Sequence, residues 1–293
     1  MTTMVSSKLL AGLKDAPRVR IGGRICHELI NCAITLGHEI TYPSPVIDLG
    51  YFVAQLAWYL RAQPGAINGI DYYHTSWSRI TWHDSKPDIN SNYGVYVFGE
   101  KQLYMAIERL KKEAHSRQAL VLFNRPDVLT SDTHDHICTT SLQLLIRDWR
   151  LHAICTMRSN DFYIGYTYDV LFFRCLQLMA LRLLQPIYPG LELGSYHHNV
   201  GSMHIYHDDL GRYDGVNVED MPLFAKHGMP IIDEMRHIHS NLGPVEESLR
   251  LKPASKRKAV AKQATVADLH TWNYFLEVLV TTLNNIDKSG PLT

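Results

Sequence analysis

The sequence has no excess of either charge. Lys plus Arg and Asp plus Glu number 29 each in 293 residues, so no global field draws the chain to nucleic acid or to a membrane surface. Cysteine is scarce. Cys26, Cys32, Cys138, Cys155 and Cys175 form no Cys-x-x-Cys pair and are odd in number, which reads as a reduced, cytoplasmic chain without a disulfide framework. A long apolar run is missing too. The most apolar segment, Tyr168 to Leu184, is interrupted by Asp169, Arg174, Gln177 and Arg182 and is not a membrane span. Met1 to Arg20 holds no signal-peptide pattern. No internal repeat and no clean linker divides the chain, so one domain over residues 1–293 is expected.

Apolar residues make up 46% of the chain, enough for a large core and too many for disorder. Residues 1–17 read as a frayed or helical lead-in. Arg18 to Arg24, with Gly22-Gly23, reads as a flexible basic loop able to approach an anion. Apolar residues at helical spacing predict a helix from about Val46 to Gln63, stopped by Pro64-Gly65, and another from about Glu100 to His115. Residues 66–98 read as loop. Ala119 to Phe123 reads as a buried strand. Thr140–Ile146 and Leu151–Met157, parted by four polar or aromatic residues, read as a β-hairpin. Tyr168 to Leu184, apolar almost all round, is expected to be a helix buried mid-protein. Gly190 to Tyr206 reads as extended, with bulges expected at Gly194 and Gly201. Beyond Gly211 the pattern weakens until a last helix over about 264–286. The basic run of residues 250–263 reads as a solvated face, with an RNA or phosphate patch as the alternative. Nucleic acid is therefore not an expected partner.

Four short stretches carry chemistry: Cys138 to Gln143, Met157 to Asp161, Gly165 to Asp169, and Gly201 to Tyr206. Arg158 and Ser159 suit phosphate oxygens, one as a fork and the other as a hydroxyl donor. His204 and Tyr206 alternate on a strand and so share a face, where they can hold a sugar hydroxyl. Asp169 opens a buried helix, and a carboxylate there needs a partner or a task. Cys138 is expected beside Arg158 across the hairpin, where a cation favours the reactive thiolate. The other four cysteines read as small buried hydrophobes. His134, His136 and Cys138 resemble a metal cluster, but no second ligand pair sits at useful spacing, and no metal is expected. His197-His198 and His207-Asp208 read as polar strand and loop residues.

Together these stretches resemble the thymidylate synthase family, which includes the pyrimidine nucleotide hydroxymethylases. Cys138 lies 20 residues before Arg158 and Asp169 lies 11 after it, the spacing of that family's nucleophile, phosphate arginine and base-reading position. Upstream, Arg20-Ile-Gly-Gly resembles its phosphate loop. Trp58 sits in its Leu-x-Trp-x-Leu helix, Tyr93-Gly94 resembles its Tyr-Gly turn, and Ser116-Arg117 resembles the segment that sends an arginine into the partner's site. The resemblance covers about residues 18–210. It implies an α+β fold, a mixed sheet around a buried central helix, with a helical extension over about 215–293. It also implies a homodimer in which Arg117 completes the partner's phosphate site. Catalytic roles fall to Cys138, Asp169, Gln55 and Tyr93. Nucleotide contacts fall to Arg20, Arg117, Gln143, Arg158, Ser159, Asn160, Asp161, Asp169, His204 and Tyr206. Contacts to folate fall to Trp58, Asp161 and Gly165, with 5,10-methylenetetrahydrofolate as co-substrate.

The chemistry implied begins with a thiolate adding to pyrimidine carbon 6, which makes carbon 5 nucleophilic toward the one-carbon electrophile. An exocyclic methylene follows. Hydride would turn it into methyl, and water into hydroxymethyl. Two departures bear on the outcome. The base-reading asparagine of thymidylate synthases is here Asp169; a carboxylate accepts only, which suits the cytosine amino group and a ring nitrogen that becomes protonated, as in deoxycytidylate hydroxymethylases. The family glutamate is here Gln55, which hydrogen-bonds but does not shuttle a proton at neutral pH. Ile137 also replaces the usual proline. The expected function is therefore 5-hydroxymethylation of dCMP or CMP. A methyl-forming or uridylate-specific enzyme and a non-catalytic nucleotide-binding homologue remain as alternatives. Ribose or deoxyribose, and phage nucleotide modification in a host cytoplasm or nucleoside antibiotic synthesis, stay open.

Overall fold

A computed structural model of the chain describes residues 5–64, 69–81, 89–129, 135–225 and 228–292. In chain order the elements are α1 (Val5–Lys14), β1 (Arg18–Ile21), β2 (Arg24–Leu36), β3 (Thr41–Ser44), α2 (Leu49–Arg61), α3 (Ser76–Thr81), α4 (Gln102–Lys112), β4 (Leu120–Leu122), α5 (Pro126–Leu129), β5 (Thr139–Arg147), β6 (Arg150–Asp161), α6 (Thr167–Leu184), β7 (Glu192–Tyr206), β8 (Glu219–Pro222), α7 (Ile232–Arg250), α8 (Ala254–Ala264) and α9 (His270–Ser289). They pack into two compact units that interleave along the chain. The first holds residues 1–47, 103–124 and 138–223; the second holds 48–102, 125–137 and 224–293.

The first unit is built on a six-stranded mixed sheet of order β1-β2-β7-β6-β5-β4, with β3 and β8 paired apart from it. Only β6 and β7 run parallel, and α6 is the crossover between them. A crossover helix lies on the sheet and is covered on its outer side, so α6 is buried along nearly its whole length, as its apolar sequence requires. Its polar residues have local tasks. Between Leu151 and Ala153 the β6–β7 register slips, which frees carbonyls. Gln177 donates to the Leu151 carbonyl at 2.7 Å, and Arg174 bonds Gln177 at 2.8 Å and the Glu39 carbonyl at 2.8 Å. Burial without a carboxylate partner pushes the Arg174 guanidinium down to about 10.

Further along, the sheet changes face. In β6 the buried residues are Leu151, Ala153, Cys155 and Met157, then Asn160; in β7 they are Tyr196, His198 and Val200, then Met203 and Ile205. In β2 they are Leu36 and Ile34, then Cys26 and His27, of which His27 pairs with the buried Ile205; between the two groups Asn31 has a left-handed φ of 57°. In β5 the pairing slips between Thr139 and Ser141. Strand alternation thus reverses in four neighbouring strands near Thr140, Arg158, Gly201 and Asn31, the pattern of stacked bulges. Gly201 is required there, because a Cβ would sit 2.8 Å from the Arg158 carbonyl.

The second unit is helical. Asp48 caps α2 by accepting from the Tyr51 N–H at 2.8 Å. Glu246 of α7, 1% exposed, accepts from Arg61 at 2.6 Å, Tyr73 at 2.8 Å and Arg250 at 3.0 Å.

Several elements differ from the sequence expectations. Arg18–Arg24 is not a loop but the β1–β2 hairpin turning at Gly22-Gly23. The stretch read as loop holds α3 and a π-helical turn at Val95–Gly99. α7 went unread because Gly243-Pro244 interrupts its pattern. The basic run is α8, where Arg257 is buried and paired with Asp287 at 2.7 Å. Gly65 and His134 lie outside the described residues. No helix among the described residues is long and apolar enough to cross a membrane.

Removing Glu246 strands buried guanidinium groups. Glu246→Ala is expected to cost about 3–5 kcal/mol in urea unfolding, against about 0.5 kcal/mol or less for Glu247→Ala at the exposed neighbouring position.

Candidate active site

The β5–β6 hairpin turns at Asp148-Trp149, both left-handed, and sets its two strands antiparallel. The slip near Thr140 shifts the register by one residue. The Arg158 N–H then donates to the Cys138 carbonyl at 2.8 Å, extending the ladder past the strand end. Ser159 Oγ lies 3.6 Å from Cys138 Sγ and accepts from Arg158 Nη1 at 3.0 Å. Thiol, hydroxyl and guanidinium therefore form one line, with the arginine exposed. Burial pushes the Cys26, Cys32 and Cys155 thiols up, and the Cys175 thiol to about 12.

Asp161 ends β6 and caps the turn Phe162–Tyr166, accepting from the Tyr163 N–H at 3.0 Å. Burial pushes its carboxyl up to about 6, opposed by that N–H and by His204. His204 pairs with Asp161 on β6 and with Glu28 on β2. The His204 and Tyr206 rings meet edge to face at 5.3 Å, and the Arg24 guanidinium lies 3.7 Å over the Tyr206 ring. Arg24 was not singled out as a site residue. Its signal was its place at the end of the Arg18–Arg24 basic stretch, and its position opposite Tyr206 follows only from the β2–β7 pairing.

Asp169 sits in the first turn of α6, half-buried. Its Oδ2 accepts from Asn160 Nδ2 at 2.7 Å. Asn160 Oδ1 meets His198 Nε2 at 3.2 Å, and His198 Nδ1 meets the Tyr196 hydroxyl at 2.9 Å. Burial pushes Asp169 up to about 7, with the Asn160 N–H opposing, and pushes fully buried His198 down to about 3, so the imidazole is neutral. Gly165 closes over this pair. A Cβ there would come within 2.7 Å of Asn160 Nδ2, so no larger residue fits without moving the amide.

Three of the expected site residues are engaged within the protein. Gln143 lies five residues along the chain from Cys138, roughly 16 Å by strand rise, and its amide donates to the Arg117 carbonyl at 2.8 Å. Asn160 is 2% exposed, with both amide atoms engaged inside the protein. Trp58 is 0% exposed and edge-on to Trp77 at 4.8 Å. Arg20 bends back to the Gly23 carbonyl at 3.0 Å, and Arg117 is exposed just before β4. In the second unit, Gln55 is buried and donates to the Tyr51 hydroxyl at 3.4 Å; that hydroxyl also accepts from Trp77 at 2.8 Å. Tyr93 is buried and stacks on Tyr59 at 5.5 Å. Among the described residues, no group of three or more His, Cys, Asp or Glu could hold a metal ion.

The thymidylate synthase family model matches residues 47–274. The chain belongs to this family. Its members are one-carbon transferases that use methylenetetrahydrofolate as co-substrate. The fold is accordingly α+β and thymidylate synthase-like. Among similar proteins is the deoxycytidylate 5-hydroxymethyltransferase of Enterobacteria phage T4, 29% identical over 174 residues, 53% of this chain and 66% of that protein. The deoxyuridylate hydroxymethyltransferase of Bacillus phage SP01 is 32% identical over 130 residues, 40% of this chain and 32% of that protein. The thymidylate synthase of Bacillus mojavensis is 31% identical over 134 residues, 43% of this chain and 46% of that protein. The chain thus spans just under two thirds of the length of the phage T4 relative and less of the other two.

A carboxyl raised in the folded state stabilises the fold below its unfolded pKa and loses that contribution as pH rises through the folded value. Asp169 should therefore destabilise the native state progressively from about pH 4 to about pH 7. Asp169→Asn should raise stability at pH 8 by on the order of 2 kcal/mol, allowing for partial exposure, and change it little at pH 4. Thermal unfolding at the two pH values checks the sign.

Proposed function

We propose that the protein is a cytidylate 5-hydroxymethyltransferase, converting dCMP or CMP to the 5-hydroxymethyl nucleotide with methylenetetrahydrofolate and water. The observation that carries this reading is Asp169, a carboxyl with a titration point near 7, standing where the family reads the pyrimidine. Cytosine offers an amino donor and a bare ring nitrogen. A carboxyl sharing one proton with that nitrogen matches both. Likeness to the phage T4 protein supports the same base, while the other two relatives are named for deoxyuridylate and thymidylate chemistry.

Cys138 is the proposed nucleophile at ring carbon 6. Ser159 and Arg158 stand beside its sulfur and suit a 5′-phosphate, with Arg20 and Arg117 of a second copy as further phosphate ligands in a homodimer. His204 and Tyr206 would hold the 3′-hydroxyl, and Arg24 stiffens that end of β7. Asp161 and Gly165 fit the folate side, because the half-buried Asp161 carboxyl suits a ring rich in N–H groups. When bound, the folate supplies the one-carbon electrophile. Tyr93 is proposed as a further catalytic group. Gln55 favours one second reading, a nucleotide-binding homologue without turnover, since its buried amide has no proton to exchange at neutral pH.

Tritium release from 5-tritiated nucleotides, together with isothermal titration, tests these readings. Release is expected from cytidylate over uridylate by roughly 30- to 1,000-fold at pH 7 to 8. Cys138→Ser should abolish release while leaving nucleotide affinity within a few fold. Binding without release in the parent would support the second reading, and release from uridylate alone would overturn the choice of base.

A further inference from the structure

We infer that Asn160, held by His198, is a positioning residue that fixes which oxygen of Asp169 carries its acid proton, and so which pyrimidine edge the pocket accepts. The inference rests on Asp169 reading the base, as proposed above.

A neutral carboxyl is ambiguous. With the proton on one oxygen it presents donor then acceptor; with the proton on the other it presents the reverse. Cytosine needs a donor toward ring nitrogen 3 and an acceptor toward the amino group at position 4. Uracil needs the opposite order. Burial pushes the Asp169 carboxyl up to about 7, so a protonated form is within reach at neutral pH, and a freely placed proton would admit both bases.

The buried chain removes that freedom. The ionised carboxylate only accepts, so Asn160 must point Nδ2 at Oδ2, 2.7 Å away. The amide oxygen then faces His198, which must donate from Nε2 across 3.2 Å and accept at Nδ1 from the Tyr196 hydroxyl across 2.9 Å. The titratable groups beside Asp169 are the Cys155 thiol of β6 and the Tyr196 hydroxyl of β7, both neutral because burial raises them. Reversing the chain would mean rotating a buried amide by half a turn beneath Gly165 and moving the proton of a buried imidazole. Oδ2 therefore stays an acceptor, and an added proton goes to Oδ1. With Oδ1 facing ring nitrogen 3, this order reads a 4-aminopyrimidine.

Isothermal titration of dCMP and dUMP against the parent, Asn160→Leu, His198→Phe and Asn160→Ser tests the pinning. The affinity ratio for the preferred base should fall at least tenfold in the Leu and Phe variants and recover largely in the Ser variant, whose hydroxyl restores a donor. The pH limb for dCMP should move upward in Asn160→Leu, because the lost N–H no longer opposes burial. In the unsubstituted protein, nitrogen-15 shifts of His198 should show the proton on Nε2. A ratio within threefold of the parent in folded Leu and Phe variants, or the proton on Nδ1, overturns the inference. A parent that prefers dUMP overturns the cytidylate reading but not the pinning, since the collapse is measured against whichever base is preferred. A parent with no preference overturns both.

Discussion

Four neighbouring strands change face at one level, and the arrangement of the site follows from that reversal. Had β6 kept its alternation, Ser159 and Asp161 would continue the buried row of Cys155 and Met157, and Asn160 would point outward. The reversal at Arg158 does the opposite. Asn160 turns into the core toward α6, while Ser159 and Asp161 stay half-exposed beside Cys138 and His204. The reversal depends on backbone contact, since Gly201 lies against the Arg158 carbonyl too closely for any side chain. One irregularity of the sheet therefore separates the half-exposed Ser159 and Asp161 from the buried Asn160 between them.

That organiser meets a carboxyl in an expensive place. Asp169 opens a helix that is apolar along almost all of its length, and among the described residues no cation stands beside it. Its neighbours are an amide, a neutral imidazole, a phenol and a thiol, which stabilise a carboxylate by hydrogen bonding rather than by charge. The group is left near its midpoint at neutral pH, where it can give or keep a proton. An arginine in the same position would pull it far down and leave a plain anion.

What the sequence made legible was local. The 3.6-residue pattern located α2, α4 and α6, and the alternation about Asp148-Trp149 located the hairpin that sets Cys138 against Arg158. Cys138, Arg158 and Asp169, singled out by their spacing, lie before β5, on β6 and in the first turn of α6. What stayed hidden depended on pairing distant in sequence. The inward turn of Asn160 needs the stacked bulges, the stacking of Arg24 on Tyr206 needs the β2–β7 register, and the burial of Trp58 needs Trp77. α7 was masked by its own Gly243-Pro244, whose helix is held by tertiary packing rather than propensity.

The central claim is that the Cys138 sulfur bonds to carbon 6 of a cytidylate. Mass spectrometry after incubation with 5-fluoro-dCMP and methylenetetrahydrofolate tests it most directly, because fluorine at carbon 5 is not released as a proton would be and the adduct persists. The peptide holding Cys138 should gain the combined mass of the fluoronucleotide and methylenetetrahydrofolate, since the folate cannot leave either, and should do so at lower concentrations of the fluorocytidylate than of the fluorouridylate. No adduct, or one on any of the other four cysteines, would contradict it.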